Sequence, residues 1–259
     1  MRPFPLRYLE SGQRPSDAPP PYDLFFFDCD STLSDLEGID DLARKLPADE
    51  RRAIEALTDE AMGGGRSLEA VYGLRLERIH PCRADVETLG ARYVAALLPN
   101  AKELFAALSS LGKEVHVISG GLLPAVRVVA EALGIPVARV HAVDLDFDPQ
   151  GAYRDFERSS PLAREGGKPE VVAAVRGASR AARVVLVGDG TTDIEAAPQL
   201  ARFVAFGGVK RREIVFERAR QHATSRDLAA LLPQLLSTEE LRSLATLPRF
   251  GALVAPFLP

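Results

Sequence analysis

The run Leu24-Phe25-Phe26-Phe27 leads without interruption into Asp28-Cys29-Asp30-Ser31-Thr32. A short run with no polar alternation is the mark of a strand covered on both faces, as in a parallel sheet. Two carboxylates then leave its carboxyl end, the edge at which open α/β sheets bind ligands. Side chains at i and i+2 start on the same side of extended backbone, so Asp28 and Asp30 can face one bound group, with Thr32 closing the turn. Two acids held that close need a cation, and the motif therefore implies a metal.

The rest of the chain predicts the sheet that such a strand requires. Asp23–Phe27, Glu114–Ile118, Val137–Val143, Arg183–Val187 and Phe203–Phe206 read as strands. Helical patterns lie between them, over Ala101–Leu111, Leu122–Leu133 and Pro169–Val175, and Gly112 and Gly134 sit where helix C-caps belong. This alternation predicts a doubly wound, mostly parallel α/β sheet. Between residues 36 and 98 it breaks. Leu42, Leu46, Ile54, Leu57, Met62, Leu68, Val71, Leu76 and Ile79 predict packed helices instead. Inserted directly after the first strand, they would cover its carboxyl edge as a cap. The expected organisation is an N-terminal tail (1–21), an α/β core (22–35 and 99–236), a helical cap (36–98) and a C-terminal extension (237–259) with a helix from Ser237.

Composition removes several function classes. The 259 residues are 46% hydrophobic, enough for a substantial core. A formal charge of -4 gives no electrostatic case for nucleic acid or an anionic membrane. Lys210-Arg211-Arg212 reads as a solvated helix start. No apolar stretch reaches transmembrane length, and the N-terminus lacks the apolar segment of a signal peptide. The two cysteines, Cys29 and Cys82, lack metal-ligand spacing, and Cys29 reads as a small space-filling side chain. The expected setting is a reducing cytoplasm, with no nucleic-acid or membrane partner and a monomeric or homodimeric state.

The remaining strand ends supply what a carboxylate needs to attack a phosphate ester. At about 4 Å and an effective dielectric near 20, each pair of like unit charges costs about 4 kcal/mol. Compensating cations are therefore required. Val184–Val187 runs into Gly188-Asp189-Gly190-Thr191-Thr192-Asp193, which makes Asp189 the first choice for a second carboxylate ligand. With Asp28 and the main-chain carbonyl of Asp30 it would hold Mg²⁺, a hard cation that takes one or two carboxylates plus water and phosphate. Ser119-Gly120-Gly121, between a strand and a helix start, offers a hydroxyl and amides for phosphate oxygens. Lys168, just before another helix, can neutralise both phosphate and nucleophile. Asp28 would attack phosphorus and Asp30 would serve as general acid and base.

Asp28-x-Asp30-x-Thr32, Ser119, Lys168 and Gly188-Asp189-Gly190-x-x-Asp193 resemble, in order, the four motifs of the haloacid dehalogenase superfamily of aspartate-nucleophile phosphatases. Glu37-Gly38-Ile39-Asp40, Ala61-Met62-Gly63-Gly64, Ser119-Gly120-Gly121 and Gly166-Gly167-Lys168 narrow the resemblance to its phosphoserine phosphatases, over roughly residues 22–235. The resemblance implies catalysis by Asp28 and Asp30, Mg²⁺ held by Asp28, Asp30 and Asp189, and a small phosphate ester as substrate. It places substrate binding on Glu37, Met62, Arg75, Ser119, Gly120, Lys168 and Thr192. Glu37 would take the substrate ammonium and Arg75 its carboxylate, a two-pronged fit for guanidinium. Without the resemblance, Glu37 and Arg75 read as ordinary helix-surface charges. The implied reaction is hydrolysis of O-phospho-L-serine to serine and phosphate, as in serine biosynthesis. Alternatives are a phosphatase or phosphotransferase for another small ester (phosphothreonine, a homoserine acceptor, a sugar phosphate) and a non-catalytic binding protein of the same fold.

Overall fold

The computed structural model describes residues 17–62, 65–179 and 183–258, without the side chain of Met62. Six strands form one sheet: β1 (Leu24–Phe27), β2 (Glu114–Leu122), β3 (Val140–Val143), β6 (Val184–Gly188), β7 (Arg202–Phe206) and β8 (Gln221–Ala223). Its order is β3-β2-β1-β6-β7-β8, and every pairing is parallel. Two shorter strands, β4 (Leu145–Phe147) and β5 (Tyr153–Phe156), pair separately as an antiparallel hairpin.

The apolar run sits where its composition demands. All four residues of β1 are fully buried, with β2 on one side and β6 on the other. The chain winds outward from β1 through β2 and β3, then returns across β1 and winds the other way through β6, β7 and β8. The reversal opens a crevice at the carboxyl ends of β1, β2 and β6.

Between β1 and β2 lie four helices, α1 (Gly38–Leu42), α2 (Ala48–Met62), α3 (Leu68–Ile79) and α4 (Arg83–Ala95), followed by α5 (Ala101–Ser110). Later helices that bear on the crevice are α6 (Leu123–Ala132), α7 (Gly167–Ser179) and α8 (Thr191–Ile194). In α3 the buried residues Leu68, Val71, Tyr72, Arg75, Leu76 and Ile79 form one stripe at i, i+3, i+4 spacing. An arginine occupies a position that an apolar side chain would normally fill.

Several local expectations are corrected. Val137–Arg139 is a 3₁₀ turn set up by Pro136; the strand begins at Val140, where pairing to Val117 becomes available. β2 runs on to Leu122 because β3 offers a further partner in Val143, with a register shift between Ile118 and Leu122. Ser119-Gly120-Gly121 is thus irregular strand, not a turn. Helix α7 begins at Gly167, so Lys168 lies inside its first turn. The hairpin and β8 carry too short and too polar a pattern to predict.

The termini are partly docked. Residues 1–16 of the expected tail lie outside the described residues, but Asp17 pairs with Arg202 at 3.0 Å and the Ala18 amide donates to the Ala201 carbonyl. After residue 236, Ser237 and Glu240 cap the helix Thr238–Ala245 reciprocally, and Glu240 pairs with Lys113. The apolar end forms a further short helix, Gly251–Val254. Among the described residues no helix is long and apolar enough to cross a membrane. Leu244, on the extension's helix, is fully buried. Leu244→Ala is expected to cost about 2–5 kcal/mol in chemical denaturation, which shows whether the extension is part of the cooperative core.

Candidate active site

The crevice collects carboxylates from two strands. Asp28 follows β1, its amide donating to the Val187 carbonyl of β6 at 3.0 Å. Asp189 follows β6, and Asp193 reaches back from α8. One oxygen from each of Asp28, Asp189 and Asp193 lies within 4.8 Å of the others, and all three residues are buried. Asp193 can sit there because Gly188 has no side chain: a Cβ on Gly188 would come within 2.3 Å of the Asp193 carboxyl carbon. Three hard oxygen donors at this spacing suit a divalent cation such as Mg²⁺.

Protein cations already offset part of the charge. Lys168 Nζ donates to Asp28 Oδ1 at 2.9 Å and to Asp193 Oδ1 at 2.5 Å. Burial pushes the lysine's pKa down, but the two carboxylates outweigh it and hold it above the ordinary range. Burial likewise pushes Asp28 up to about 7, against the pull of Lys168, and it raises Asp193. Arg212, just before the helix Glu213–Arg218, bonds both Asp189 and Glu37. Lys210 meets Glu37 at 3.7 Å and Asp59 at 2.9 Å. The expected solvated helix start is corrected here: Arg212 is a wall of the crevice, while Arg211 pairs outside with Glu213. A short basic run gives no local sign of which member turns inward.

Asp30 stands apart from the carboxylate cluster. Its Oδ1 accepts from the Gly38 amide at 2.6 Å and from the Tyr93 hydroxyl at 2.5 Å. Its Oδ2 accepts from Ser119 Oγ at 3.0 Å. Burial, with help from Glu37 and Asp28, pushes its pKa up to about 6 despite these donors. A carboxyl so raised can hold or release a proton near neutral pH, and it sits outside the Asp28, Asp189 and Asp193 cluster. Immediately after Asp30 the chain turns through Ser31, whose φ of 51° lies in the left-handed region.

Beside them lies a cavity of about 50 Å³, lined in part by Glu37, Arg75, Gly120, Leu68, Thr192 and Arg212. Arg75 is buried, not a surface charge. Its Nη1 donates to Thr58 Oγ1 at 2.8 Å, its Nε has no hydrogen-bond partner, and it forms no ion pair among the described residues. Thr58 passes its own hydrogen to Asp40 at 2.5 Å, and burial raises Asp40 to about 7. Tyr72, whose ring Arg75 overlies, donates to the Gly120 carbonyl at 2.8 Å. The side chain of Met62 lies outside the described residues, as do Gly63 and Gly64. Tyr93 and Tyr72 carry no role in the sequence reading, Arg212 reads there as a solvated charge, and Asp193 enters only as a member of the Gly188-Asp189-Gly190-x-x-Asp193 motif. Tyr93 was accessible, since Val86, Leu89, Gly90 and Tyr93 form a buried stripe in which a tyrosine needs a partner for its hydroxyl.

The model of the haloacid dehalogenase-like hydrolases matches residues 25–198. Phosphoserine phosphatase of Bos taurus is 37% identical over 213 residues, 82% of this chain and 93% of the relative. The chain belongs to the haloacid dehalogenase-like hydrolases, on the phosphoserine phosphatase branch. It is a phosphoric monoester hydrolase by that membership. A solved phospho-aspartyl intermediate analogue of phosphoserine phosphatase superposes with a TM-score of 0.72 at 28% identity, covering 83% of this chain and 100% of that one. A substrate-bound phosphoserine phosphatase complex superposes at 0.70 with 27% identity, over 83% and 99%.

Removing Lys168 should expose the charge problem it solves. A carboxyl whose folded-state pKa exceeds its unfolded value is protonated more readily when folded, so stability falls as pH rises between the two values. For Asp28 that window runs from 3.8 to about 7. Lys168→Met should lose about 3–5 kcal/mol near pH 8 in metal-free buffer, with a clearly smaller loss at pH 5. Urea denaturation at several pH values measures both.

Proposed function

We propose that this chain hydrolyses O-phospho-L-serine to serine and phosphate, with Asp28 as nucleophile and Asp30 as general acid and base. The observation that carries the substrate assignment is Arg75: a buried guanidinium on the cavity wall with a free Nε and no ion-pair partner among the described residues. Burying such a charge is costly unless a ligand completes it. A substrate carboxylate fits it in two-pronged fashion. Glu37, on the same wall, supplies the complementary anion for the substrate ammonium once Arg212 and Lys210 yield. The names of the similar proteins support the same reading.

In the first step an oxygen of Asp28 bonds to phosphorus. The bond from phosphorus to the seryl oxygen breaks, its electron pair stays on that oxygen, and Asp30 delivers the proton. In the second step water attacks the aspartyl-phosphate and gives its proton to Asp30, which frees phosphate and restores Asp28. Lys168, Ser119 and the Gly120 region hold the phosphate oxygens, with Thr192 beside them. Asp28, Asp189 and the Asp30 main-chain carbonyl would hold Mg²⁺, with Asp193 occupied by Lys168. Bound there, the ion offsets charge on the transferring group. The insertion α1–α4 acts as the cap over residues 36–98. Lys210, between Glu37 and Asp59, ties it to the core.

A panel of phosphoserine, phosphothreonine, phosphotyrosine and sugar phosphates at fixed Mg²⁺, compared by kcat/KM, tests the assignment directly; phosphoserine should lead. Arg75→Ala should lower phosphoserine turnover about a hundredfold while leaving p-nitrophenyl phosphate within a few-fold. Equal losses on both esters would remove the amino-acid pocket. Asp28→Asn should reduce phosphate release by at least about a thousandfold on every ester.

A further inference from the structure

The two oxygens of Asp30 stand in different environments. Oδ1 accepts two short hydrogen bonds, from the Gly38 amide at 2.6 Å and the Tyr93 hydroxyl at 2.5 Å. An amide N–H can only donate. The Tyr93 phenol is fully buried, and its hydroxyl points at Asp30 Oδ1, so it donates as well. With two donors pointing at it, Oδ1 has no room for a proton of its own. Oδ2 faces Ser119 Oγ at 3.0 Å, and that hydroxyl can either donate or accept.

The backbone is arranged around this contact. A Cβ on Gly38 would stand 2.0 Å from the Tyr93 hydroxyl oxygen, so the phenol reaches Asp30 only across a residue without a side chain. Tyr93 also lies in the buried stripe of α4, which places its ring without using the hydroxyl.

We propose that Tyr93 is a positioning residue that confines the transferable proton of Asp30 to Oδ2, the oxygen on the Ser119 side, and thereby makes the chain competent for esters with poor leaving groups. This rests on the reading of Asp30 as general acid. Tyr93 gives no proton to the substrate. It blocks the unproductive site on the carboxyl and holds the carboxyl plane. An alkoxide leaving group needs a proton as its bond to phosphorus breaks; a p-nitrophenolate leaves without one. A misplaced proton on Asp30 therefore penalises the first ester and spares the second. A purely structural role for Tyr93 would penalise both alike.

The test compares the intact chain, Tyr93→Phe, Asp30→Asn and the double variant on phosphoserine and on p-nitrophenyl phosphate. Melting temperatures accompany the kinetics, and the retained ring preserves the packing. Tyr93→Phe should lower kcat on phosphoserine at least about tenfold, with KM nearly constant and the aryl ester changed less than about threefold. In the Asp30→Asn background the same change should add less than about twofold, since its target is gone. Equal losses on both esters, or full additivity in the double variant, would overturn the role of Tyr93 and leave Asp30 as acid intact. A failure of Asp30→Asn to discriminate between the esters in kcat/KM, which leaves out the shared hydrolysis of the aspartyl-phosphate, would overturn the acid assignment, and the inference with it.

Discussion

The ammonium of Lys168, set between the carboxylates of Asp28 and Asp193, is the contact on which the rest of the site depends. All three groups are almost wholly withdrawn from water, and each alone would be costly to bury. The parallel sheet makes the arrangement unavoidable. Its strands β1 and β6 run side by side, so the residues that follow them emerge side by side as well. Two acid-bearing strand ends then converge at the crevice where the winding reverses. Lys168 enters that convergence from α7, 140 residues after Asp28.

Around this centre the polar groups sort by task. Asp28, Asp189 and Asp193 bring one oxygen each within 4.8 Å of the others and suit a cation. Asp30 is turned away into a set of hydrogen-bond donors that fix its orientation. Arg75 is held on the cavity wall by Thr58 and the Tyr72 ring, with donors to spare. The cations near Glu37 and Asp189, Lys210 and Arg212, come from a segment after β7, so any other cation that reaches those carboxylates must compete with them.

Much of the fold could be read from local pattern. The fully apolar β1, the alternation of strands and helices, and the glycines after α5 and α6 all act over a few residues. Gly112 and Gly134 indeed take φ of +68° and +73°, the left-handed geometry of a helix stop. Motif residues at strand ends were legible for the same reason. Edges of the sheet were less so: β8 and the β4–β5 hairpin are three or four residues long and half polar, and their pairing depends on neighbours distant in sequence.

Side-chain environment was the harder problem. Arg75 and Lys168 look like solvated charges along their own helices, and Lys210-Arg211-Arg212 looks uniform. Which charge is buried depends on what packs against it, and those partners come from other parts of the chain. Residue order thus sufficed for the sheet and for acids at its carboxyl edge, because strand periodicity and backbone stereochemistry are local. The pairing of Lys168 with Asp193, the donors on Asp30 and the unpaired Nε of Arg75 arose only on folding, because electrostatics and hydrogen bonding act between groups brought close in space.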